Sequence, residues 1–281
     1  MAEVSVIIPT FNRAQKVARA IASVLYQTYT DYELIVVDDG SRDHTPDTLA
    51  LLHPRIIRLV HEENRGVSAA RNTGIRASRA PLVAFLDSDD YWLPEKLAVQ
   101  VAFFKAHPTA MACQTQEIWI RKGRRVNPRK KHHKPSGDLF IPSLKLCLVS
   151  PSAVMVRRSL LDEVGLFDEA LPVCEDYDLW LRVSCKYPVH LLHKDLVIKE
   201  GGAPDQLSRS LIGMDRFRIQ SLVKVIESGR LTPRQAEAAW FELRTKCEVY
   251  GKGCMKRGKK EEGERYLRLP HHVLKRLSKE R

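Results

Sequence analysis

Four short apolar runs, separated by segments with helical spacing, dominate the first 110 residues of this 281-residue chain. Each run is rich in β-branched residues and is bounded by polar residues, glycine or proline, which is typical of buried strands. The runs are VSVIIP (4–9), ELIVVDD (33–39), RIIRLV (55–60) and PLVAFLD (81–87). Strands that alternate with helices in this way predict an α/β fold, in which helices cover both faces of a mainly parallel sheet.

Helical segments are predicted between these strands. Apolar residues at helical spacing over 14–27 indicate the first helix, which Asn12 would cap together with Gln15. Two more helices are expected, one after Thr45 and one over 67–77.

The remainder of the chain is patterned less regularly and ends in helices. Beyond residue 110, two strands and one helix are predicted at 150–158, 190–202 and 175–188. From about residue 205 onward the apolar pattern is helical. We therefore expect one α/β domain over 1–204, with halves 1–110 and 111–204, followed by a basic helical extension over 205–281.

The net charge of +12 is concentrated in the C-terminal part of the chain. Residues 1–120 hold 12 basic and 14 acidic residues, whereas the segment 121–134 has eight basic residues and no acidic one. Residues 252–281 carry eleven basic residues against four acidic ones. Such runs are either solvated surface or attract something anionic, such as a phosphate-bearing molecule or a membrane surface. Nucleic acid is not expected as a partner, because the runs lack interleaved aromatics and any nucleic-acid-binding motif.

Nothing in the sequence indicates export or membrane insertion. No window approaches the roughly 18 consecutive apolar residues that suggest a membrane span. The N-terminus MAEVSVIIPTFNR lacks the basic region and cleavage site of a signal peptide. The six cysteines form no CxxC pair, so reduced thiols are expected. We expect a cytoplasmic protein, and the basic segments leave open a peripheral position at the inner face of a membrane.

Polar residues follow three of the predicted strands at the point where each strand ends. Because ligands of parallel α/β sheets bind beyond the carboxyl ends of the strands, these residues should line one crevice. An acidic residue after the second strand commonly accepts hydrogen bonds from the ribose or base of a nucleotide. The candidates are Pro9, Thr10 and Asn12 after the first strand, Asp38 and Asp39 after the second, and Asp87, Ser88, Asp89 and Asp90 after the fourth.

The stretch FLDSDDYW (85–92) places three aspartates within four positions. Their negative charges repel one another unless a cation or hydrogen bonds offset them. Clustered carboxylates are natural ligands of Mg²⁺ or Mn²⁺, which complete their coordination with water and substrate phosphates. A helix cap is the alternative, but a cap requires one aspartate rather than three. We therefore predict a site for Mn²⁺ or Mg²⁺ in this stretch.

The segment PTFNR follows the first strand, where many nucleotide-binding proteins have a glycine-rich loop. Neither GxGxxG nor GxxxxGKS/T stands there, which argues against a dinucleotide-dependent oxidoreductase and a P-loop NTPase. The charge of a bound diphosphate would instead be met by a metal ion and by basic side chains such as Arg65 and Arg71.

A series of ordered motifs makes the chain similar to a known enzyme family. They are VSVIIPTFNR, ASVLYQTYTDYELIVVDDGSRDHT, NRGVSAARNTGI, FLDSDDYW, and GLFDE with EDYDLWLR. In this order, over about residues 3–200, they resemble the family-2 glycosyltransferases of the GT-A fold, and an ordered series is more specific than a single motif. The resemblance implies a Rossmann-like mixed sheet, a nucleotide-diphospho-sugar donor, a divalent cation and inversion at the anomeric carbon. It also implies that 1–110 binds the donor and that 111–204 faces the acceptor.

The resemblance assigns donor-binding roles to residues at the strand ends. Pro9, Thr10 and Asn12 would border the nucleotide. Asp39 would hold the base, and Arg71 would lie near the base or the diphosphate.

The stretch FLDSDDYW contains the family's DxD pair, Asp87 and Asp89, with Ser88 between them. The resemblance implies that Asp87 reaches the ribose or the sugar and that Asp89 binds the metal ion. Asp90 extends the pattern and is a second candidate metal ligand.

An inverting transfer requires a base that removes the proton of the acceptor hydroxyl on the face opposite the leaving diphosphate. The resemblance assigns this role to Asp176 in CEDYDLWLR, and Glu175 would contact donor or acceptor hydroxyls. From the residues alone, both are explained as acids in the first turn of a helix, where the helix dipole favours them. Asp178 is spaced to pair with Arg182 at i+4.

Two absences refine the expected activity. In many relatives the third position of GGAPDQLS (201–208) is histidine, and Ala203 in this chain argues against a histidine metal ligand. The QxxRW motif of processive polysaccharide synthases of this family is missing, so a single addition is expected.

UDP is the default donor nucleotide, with GDP and dTDP open. A lipid-linked, phosphate-bearing precursor of a bacterial surface glycan would suit the basic segments as the acceptor.

Two other functions stay open from the sequence. A sugar-phosphate nucleotidyltransferase has a similar sheet and metal requirement, but PTFNR is not the glycine-rich, arginine-containing loop that such enzymes carry. A non-catalytic nucleotide-sugar-binding module would keep the fold without turnover, and the intact acidic residues argue against it.

Overall fold

Nine strands form one mixed sheet in the computed structural model of the chain, which describes residues 2–51, 56–127, 129, 132–202 and 213–277. The strands are β1 (Val4–Thr10), β2 (Tyr32–Asp38), β3 (Ile56–Val60), β4 (Leu82–Phe85), β5 (Asp90–Trp92), β6 (Ala112–Arg121), β7 (Arg124–Val126), β8 (Val154–Arg157) and β9 (Val189–Gly201). Their order in the sheet is β3-β2-β1-β4-β8-β6-β9-β5, and β7 pairs with β6. The predicted α/β fold with a mixed sheet is confirmed.

The first four strands are parallel, because β1 pairs with β2 and β4, and β2 pairs with β3. All seven residues of β1 are buried, as expected for a strand with helices on both faces. Thr10 lies in register with Asp38, and Asp38 lies in register with Val60, so these strands end at one edge. The strand-end residues therefore start from the same edge of the sheet.

The second half of the sheet is built from strands of both directions. β8 is antiparallel to β4 and to β6, whereas β9 runs parallel to β6. The short strand β5 is antiparallel to β9 and pairs Asp90 with Lys199. This register places the end of FLDSDDYW beside a residue that is far away in sequence.

Helices cover both faces of the sheet and form the end of the described chain. They are α1 (Ala14–Leu25), α2 (Thr45–Ala50), α3 (Val67–Ala77), α4 (Lys96–Ala106), α5 (Phe140–Ser143), α6 (Arg158–Val164), α7 (Glu175–Ser184), α8 (Asp215–Glu227), α9 (Pro233–Lys256) and α10 (Lys260–Leu277). Ile8 belongs to the hydrophobic cluster that contains α1 and α4, whereas its neighbour Ile7 belongs to the cluster of α3, α6 and α7. Alternate side chains of β1 therefore anchor the two helical layers.

The C-terminal helices pack on α5 and α7 through a third hydrophobic cluster. Tyr177 of α7, Leu222 of α8, Leu243 of α9 and Val273 of α10 belong to it, and each is almost completely buried. The predicted domain boundary between residues 204 and 205 lies outside the described residues. So does Ala203, the position at which many relatives have histidine. No described helix, α9 and α10 included, offers an apolar stretch of the length that a membrane span needs.

The predicted capping of α1 by Asn12 is wrong. Asn12 has a φ of 51°, and its Oδ1 accepts the backbone N–H of Arg42 at 2.8 Å. At the start of α1, the N–H of Arg13 donates instead to Oγ1 of Thr45 at 2.8 Å. The loop after β2 thus satisfies the helix N-terminus, a tertiary contact that a local capping pattern does not include.

Candidate active site

A cavity of about 1050 Å³ opens at the carboxyl ends of β1, β2 and β4. Residues 169–176, which lead into α7, also line it. The structure therefore brings the predicted donor side and the predicted base together, and only Asp38 among the predicted site residues does not line the cavity. Those that line it are Pro9, Thr10, Asn12, Asp39, Arg65, Arg71, Asp87, Ser88, Asp89, Asp90, Glu175 and Asp176.

Asp38 is buried at the end of β2 and is turned away from the cavity. Its Oδ1 accepts the backbone N–H of Ser41 at 3.0 Å, which shapes the turn after the strand. Successive side chains of a strand point to opposite faces, so Asp38 and Asp39 do not both face the ligand. Asp38 therefore shapes the turn, and its predicted donor contact stays a prediction.

Asp39 fixes the loop that leads into α3. Its Oδ2 accepts the N–H of Gly66 at 2.8 Å, and its Oδ1 accepts the N–H of Arg65 at 3.0 Å. Oδ1 also lies 2.6 Å from Nδ1 of His61, whose Nε2 lies 2.9 Å from the hydroxyl of Thr73. This buried carboxylate shapes the cavity wall, and its predicted contact with the base stays a prediction.

Arg71 of α3 lies at the centre of the site and is almost completely buried. One guanidinium nitrogen donates to Oδ1 of Asp87 at 2.6 Å, and the other donates to Oε1 of Glu175 at 2.7 Å. The guanidinium also lies 5.0 Å from the centre of the Phe167 ring. One side chain thus ties α3 to the end of β4 and to the start of α7.

The two carboxylates that share Arg71 respond differently to their surroundings. Burial raises the pKa of Glu175 to about 7, although the positive charge of Arg71 opposes the shift. Burial also acts to raise the pKa of Asp87, but the charges of Arg71 and Lys199 outweigh it and lower that pKa. Arg71 and Lys199 thus favour the ionised form of Asp87, whereas burial favours the protonated form of Glu175.

Asp89 and Asp90 occupy different environments despite being neighbours. The Asp89 carboxylate is partly exposed to the cavity and pairs with the Arg13 guanidinium at 2.9 Å. Asp90 is buried and accepts a hydrogen bond from Ser152 at 2.7 Å. Burial raises the pKa of Asp90 well above its usual range, against the opposing charge of Lys199. Asp89 is thus the more available carboxylate for a cation.

The acidic stretch fits a divalent ion only as part of a larger ligand set. Among the described residues, no group of three or more His, Cys, Asp or Glu side chains is arranged to hold a metal ion by itself. Mg²⁺ and similar ions are commonly held by one or two carboxylates, with water and substrate phosphates completing the shell. Asp89, at the cavity surface, fits an ion that binds together with a diphosphate.

The first turn of α7 presents Asp176 to the cavity. Cys174, one of the six free cysteines, precedes it with a φ of 63°, a left-handed conformation that non-glycine residues rarely adopt. Asp176 is half-buried, and its Oδ1 accepts the N–H of Tyr177 at 2.7 Å. Asp178 is buried and pairs with Arg182 at 2.9 Å, as its spacing predicts, and with Lys224 at 2.8 Å.

A reciprocal pair of hydrogen bonds anchors the GLFDE loop to α3. Asn72 donates from Nδ2 to the carbonyl of Phe167 at 2.9 Å, and its Oδ1 accepts the N–H of Phe167 at 3.0 Å. Glu169, the last residue of this motif, accepts from Asn72 at 2.9 Å and lies 3.5 Å from Arg65. Arg65 is half exposed at the cavity rim, so it contributes charge without being fixed.

Three polar atoms in the cavity wall have no hydrogen-bond partner in the described part of the chain. They are Oγ1 of Thr10, Oγ of Ser68 and Nε of Arg71. Buried polar atoms without partners are costly, so their grouping at a cavity indicates a polar ligand. Ser68 was not foreseen from the sequence, although it lies inside the motif NRGVSAARNTGI.

Arg13 and Lys199 also line the cavity and were missed by the sequence reading. Arg13 stands in PTFNR, directly after the predicted donor-binding residues, so the motif could have indicated Arg13 as well. Lys199 has no local signal, because its position depends on the pairing of β9 with β5.

The family model described as "Glycosyl transferase family 2" matches residues 5–165. The chain is 31% identical over 216 residues to the UDP-Glc:alpha-D-GlcNAc-diphosphoundecaprenol beta-1,3-glucosyltransferase WfgD of Escherichia coli, covering 76% of this chain and 81% of that protein. It is also 31% identical over 218 residues to an uncharacterized glycosyltransferase of Rickettsia felis, covering 74% of this chain. That match spans only 35% of the Rickettsia protein.

Two solved structures illustrate the similarity of the fold. Staphylococcus aureus TarS 1–349 in complex with UDP-GlcNAc has a TM-score of 0.70 at 22% identity, covering 90% of this chain and 73% of that one. The mannosyltransferase PcManGT of Pyrobaculum calidifontis, in complex with GDP-Man and Mn²⁺, has a TM-score of 0.61 at 19% identity. That match covers 97% of this chain and 85% of the other. At these identities the likeness concerns the fold.

Replacing Arg71 by methionine should destabilise the protein strongly. The substitution leaves the Asp87 and Glu175 carboxylates without their shared cation, and breaking such a buried pair typically costs about 3–5 kcal/mol. We expect a loss of about 3 kcal/mol in the free energy of unfolding, measured by denaturant titration at pH 7.

Arg76→Met is the matched control for this substitution. Arg76 lies on the same helix, is mostly exposed and pairs loosely with Glu169 at 3.3 Å, so its loss should cost less than about 1 kcal/mol. Adding Glu175→Gln to Arg71→Met should restore part of the stability, because it removes one unpaired acid. If Arg71→Met and Arg76→Met were equally stable, the contacts of Arg71 would not have the importance given to them.

Proposed function

Since the chain belongs to glycosyl transferase family 2, we propose that it transfers a single sugar from a nucleotide-diphospho-sugar to an acceptor hydroxyl, with inversion and with the help of a divalent cation. The observation that carries the proposal is the shared cavity. Asp87, Asp89 and Asp176 all line it. A donor held at the strand ends would therefore expose its sugar to the carboxylate on α7.

The donor site proposed here uses the polar groups at the ends of the parallel strands. Thr10 and Ser68 offer hydroxyls without partners in the described chain, and the loop braced by Asp39 closes the wall next to them. Pro9 and Asn12 border the same wall. We propose UDP as the nucleotide, because WfgD is named as a UDP-glucose enzyme and TarS was solved with UDP-GlcNAc. GDP is the alternative that the PcManGT complex with GDP-Man favours.

In the proposed reaction Asp176 acts as the general base. Its carboxylate takes the proton of the acceptor hydroxyl while the acceptor oxygen forms a bond to the anomeric carbon. The bond from that carbon to the diphosphate oxygen breaks, and the electron pair stays with the diphosphate. Attack by the acceptor oxygen on the face opposite the leaving diphosphate gives inversion. Glu175, held by Arg71, is positioned beside the base and would contact sugar hydroxyls.

A divalent cation would be held by Asp89 together with the donor diphosphate. When bound, it neutralises negative charge that develops on the leaving diphosphate. We propose that Asp90 helps to fix the shape of the site without binding the cation, because it is buried and bonded to Ser152. Arg13 pairs with Asp89 and is close enough to balance its charge when no cation is bound.

For the acceptor we propose a sugar carried on a lipid diphosphate. The name of WfgD specifies such an acceptor for that protein, and the basic segments 121–134 and 252–281 would attract its phosphates and an anionic membrane. We also propose separate roles for the segments of the chain. Residues 1–110 bind the donor, residues 111–204 face the acceptor, and the extension beyond residue 204 supports the acceptor side.

Replacing Asp176 by asparagine should abolish transfer while donor binding persists. The asparagine keeps the shape of the side chain but cannot take a proton, and general-base catalysis is worth about 10²–10⁴-fold in rate. Turnover can be measured as UDP or GDP release from a panel of nucleotide sugars with a sugar-diphospho-lipid acceptor. Donor binding can be followed by calorimetry.

Asp162→Asn is the matched control for the base, because Asp162 is an exposed acid on α6. We expect it to turn over like the unmodified protein. If Asp176→Asn transferred sugar at a comparable rate, another group would have to be the base. Release of pyrophosphate from an NTP and a sugar phosphate would indicate a nucleotidyltransferase instead.

Asp89→Asn and Asp90→Asn should separate the metal ligand from its neighbour. In EDTA-treated protein, we expect Asp89→Asn to weaken Mn²⁺-dependent binding of UDP by at least about tenfold. Asp90→Asn should leave the Mn²⁺ requirement unchanged, because the protonated acid that burial favours is replaced by a neutral group of the same shape. Calorimetric titration of Mn²⁺ at fixed UDP measures both effects, and the reverse pattern would assign the ion to Asp90.

The proposed membrane contact can be tested with vesicles that contain anionic lipid. At low salt we expect the protein to be retained and Lys122→Ser with Arg124→Ser to reduce retention by roughly fivefold per charge. The pair Arg42→Ser and Arg79→Ser, exposed on the N-terminal half, is the control and should have no effect. Failure of the unmodified protein to sediment with these vesicles would remove the membrane from the proposal.

A further inference from the structure

Lys199 reaches the cavity from β9, on the side of the sheet formed by the second half of the chain. It pairs in register with Asp90 of β5, and its Nζ donates to the hydroxyl of Ser150 at 2.9 Å. An ammonium group has three N–H donors, so two remain after this bond. The side chain is therefore anchored, and donors are left over for a ligand.

Lys199 differs from the other cations of the cavity wall. Arg13 pairs with Asp89 at 2.9 Å, and Arg71 is shared by two carboxylates at 2.6 and 2.7 Å. Arg65 pairs with Glu169 at the rim at 3.5 Å. Within the described ranges of the chain, Lys199 is the lining cation that forms no ion pair. Its charge is held in the cavity without a direct counter-ion.

Nearby acids keep Lys199 charged, although none of them forms an ion pair with it in the described part of the chain. Burial acts to lower its pKa, but Glu117, Asp90 and other carboxylates around it raise that pKa above the usual range. Glu117 already pairs with the buried Lys134 at 3.0 Å, and Asp90 accepts a hydrogen bond from Ser152. A purely structural role as a counter-ion therefore leaves the two remaining donors of Lys199 unexplained.

We propose that Lys199 is the protein cation that binds the diphosphate of the donor and stabilises it as it leaves. The inference rests on the proposed function and adds a residue to it. A diphosphate entering a cavity lined by Asp87, Asp89 and Asp176 needs positive charge, and Lys199 supplies it without breaking an ion pair. As the bond to the anomeric carbon breaks, the diphosphate oxygen keeps the electron pair. The N–H groups of Lys199 then bond to that anion, and no proton is transferred to it.

Two binding comparisons distinguish recognition of the diphosphate from recognition of the rest of the donor. Inorganic pyrophosphate tests the anion site whatever the base or sugar of the donor is, and UDP compared with uridine isolates the diphosphate of a nucleotide. Binding is measured by calorimetry in EDTA, so that a divalent ion does not contribute. We expect Lys199→Met to weaken pyrophosphate and UDP binding by about tenfold or more and to leave uridine binding unchanged.

Lys194→Met is the matched control, because Lys194 lies on the same strand but is exposed outside the cavity. It should bind pyrophosphate like the unmodified protein. Lys199→Arg keeps the charge and should recover part of the lost affinity. If Lys199→Met does not fold, Ser150→Ala serves instead, since it keeps the charge and removes the anchor. We expect it to weaken pyrophosphate binding severalfold.

In the transfer assay Lys199→Met should lower kcat more than it raises KM, because the charge on the diphosphate is largest as it leaves. Unchanged pyrophosphate binding in a folded Lys199→Met protein, or no pyrophosphate binding by the unmodified protein, would overturn the inference. Sugar transfer could then still be observed, and the proposed function would stand. Conversely, Lys199-dependent pyrophosphate binding without transfer from any nucleotide sugar would support the anion site and refute the proposed function.

Discussion

Arg71 joins three parts of the chain that are distant in sequence. Its guanidinium bonds Asp87 at the end of β4 and Glu175 at the start of α7, while its own helix packs against β1 and β2. A buried guanidinium is tolerated only when its charge and donors are satisfied, so both carboxylates must stay where they are. One residue therefore holds the end of β4 and the start of α7 together in the cavity wall.

The cavity concentrates acidic groups that would repel one another in isolation. The fold offsets this charge in three ways: Arg71 is shared between two acids, Arg13 pairs with Asp89, and burial favours the protonated form of Asp90. These measures leave Asp89 and Asp176 lining the same cavity. The arrangement suits a reaction in which an anionic leaving group departs on one side and a proton is removed on the other.

The strand ends illustrate how far periodicity and spacing predict a site. The positions of β1, β2 and β4, and the meeting of PTFN, Asp39 and Asp87–Asp90 at one cavity, follow from apolar runs and the rule for parallel sheets. The two adjacent aspartates of VVDDGS were both expected to face the ligand. Only Asp39 lines the cavity, because Asp38 is buried at the end of β2 and accepts the N–H of Ser41. Asn12 fits a local capping pattern, yet the N–H of Arg13 at the N-terminus of α1 donates to Thr45, which follows β2.

The sequence by itself determined the α/β fold, the family and twelve of the residues that line the cavity, because these depend on local apolar patterns and ordered motifs. Tertiary structure alone decided how the acids differ from one another. Asp89 and Asp90 are neighbours in sequence, but pairing of β5 with β9 buries one and leaves the other at the cavity. The same pairing brings in Lys199, which no motif marks. Burial and the proximity of charges, which set the pKa of each group, arise only when distant segments pack together.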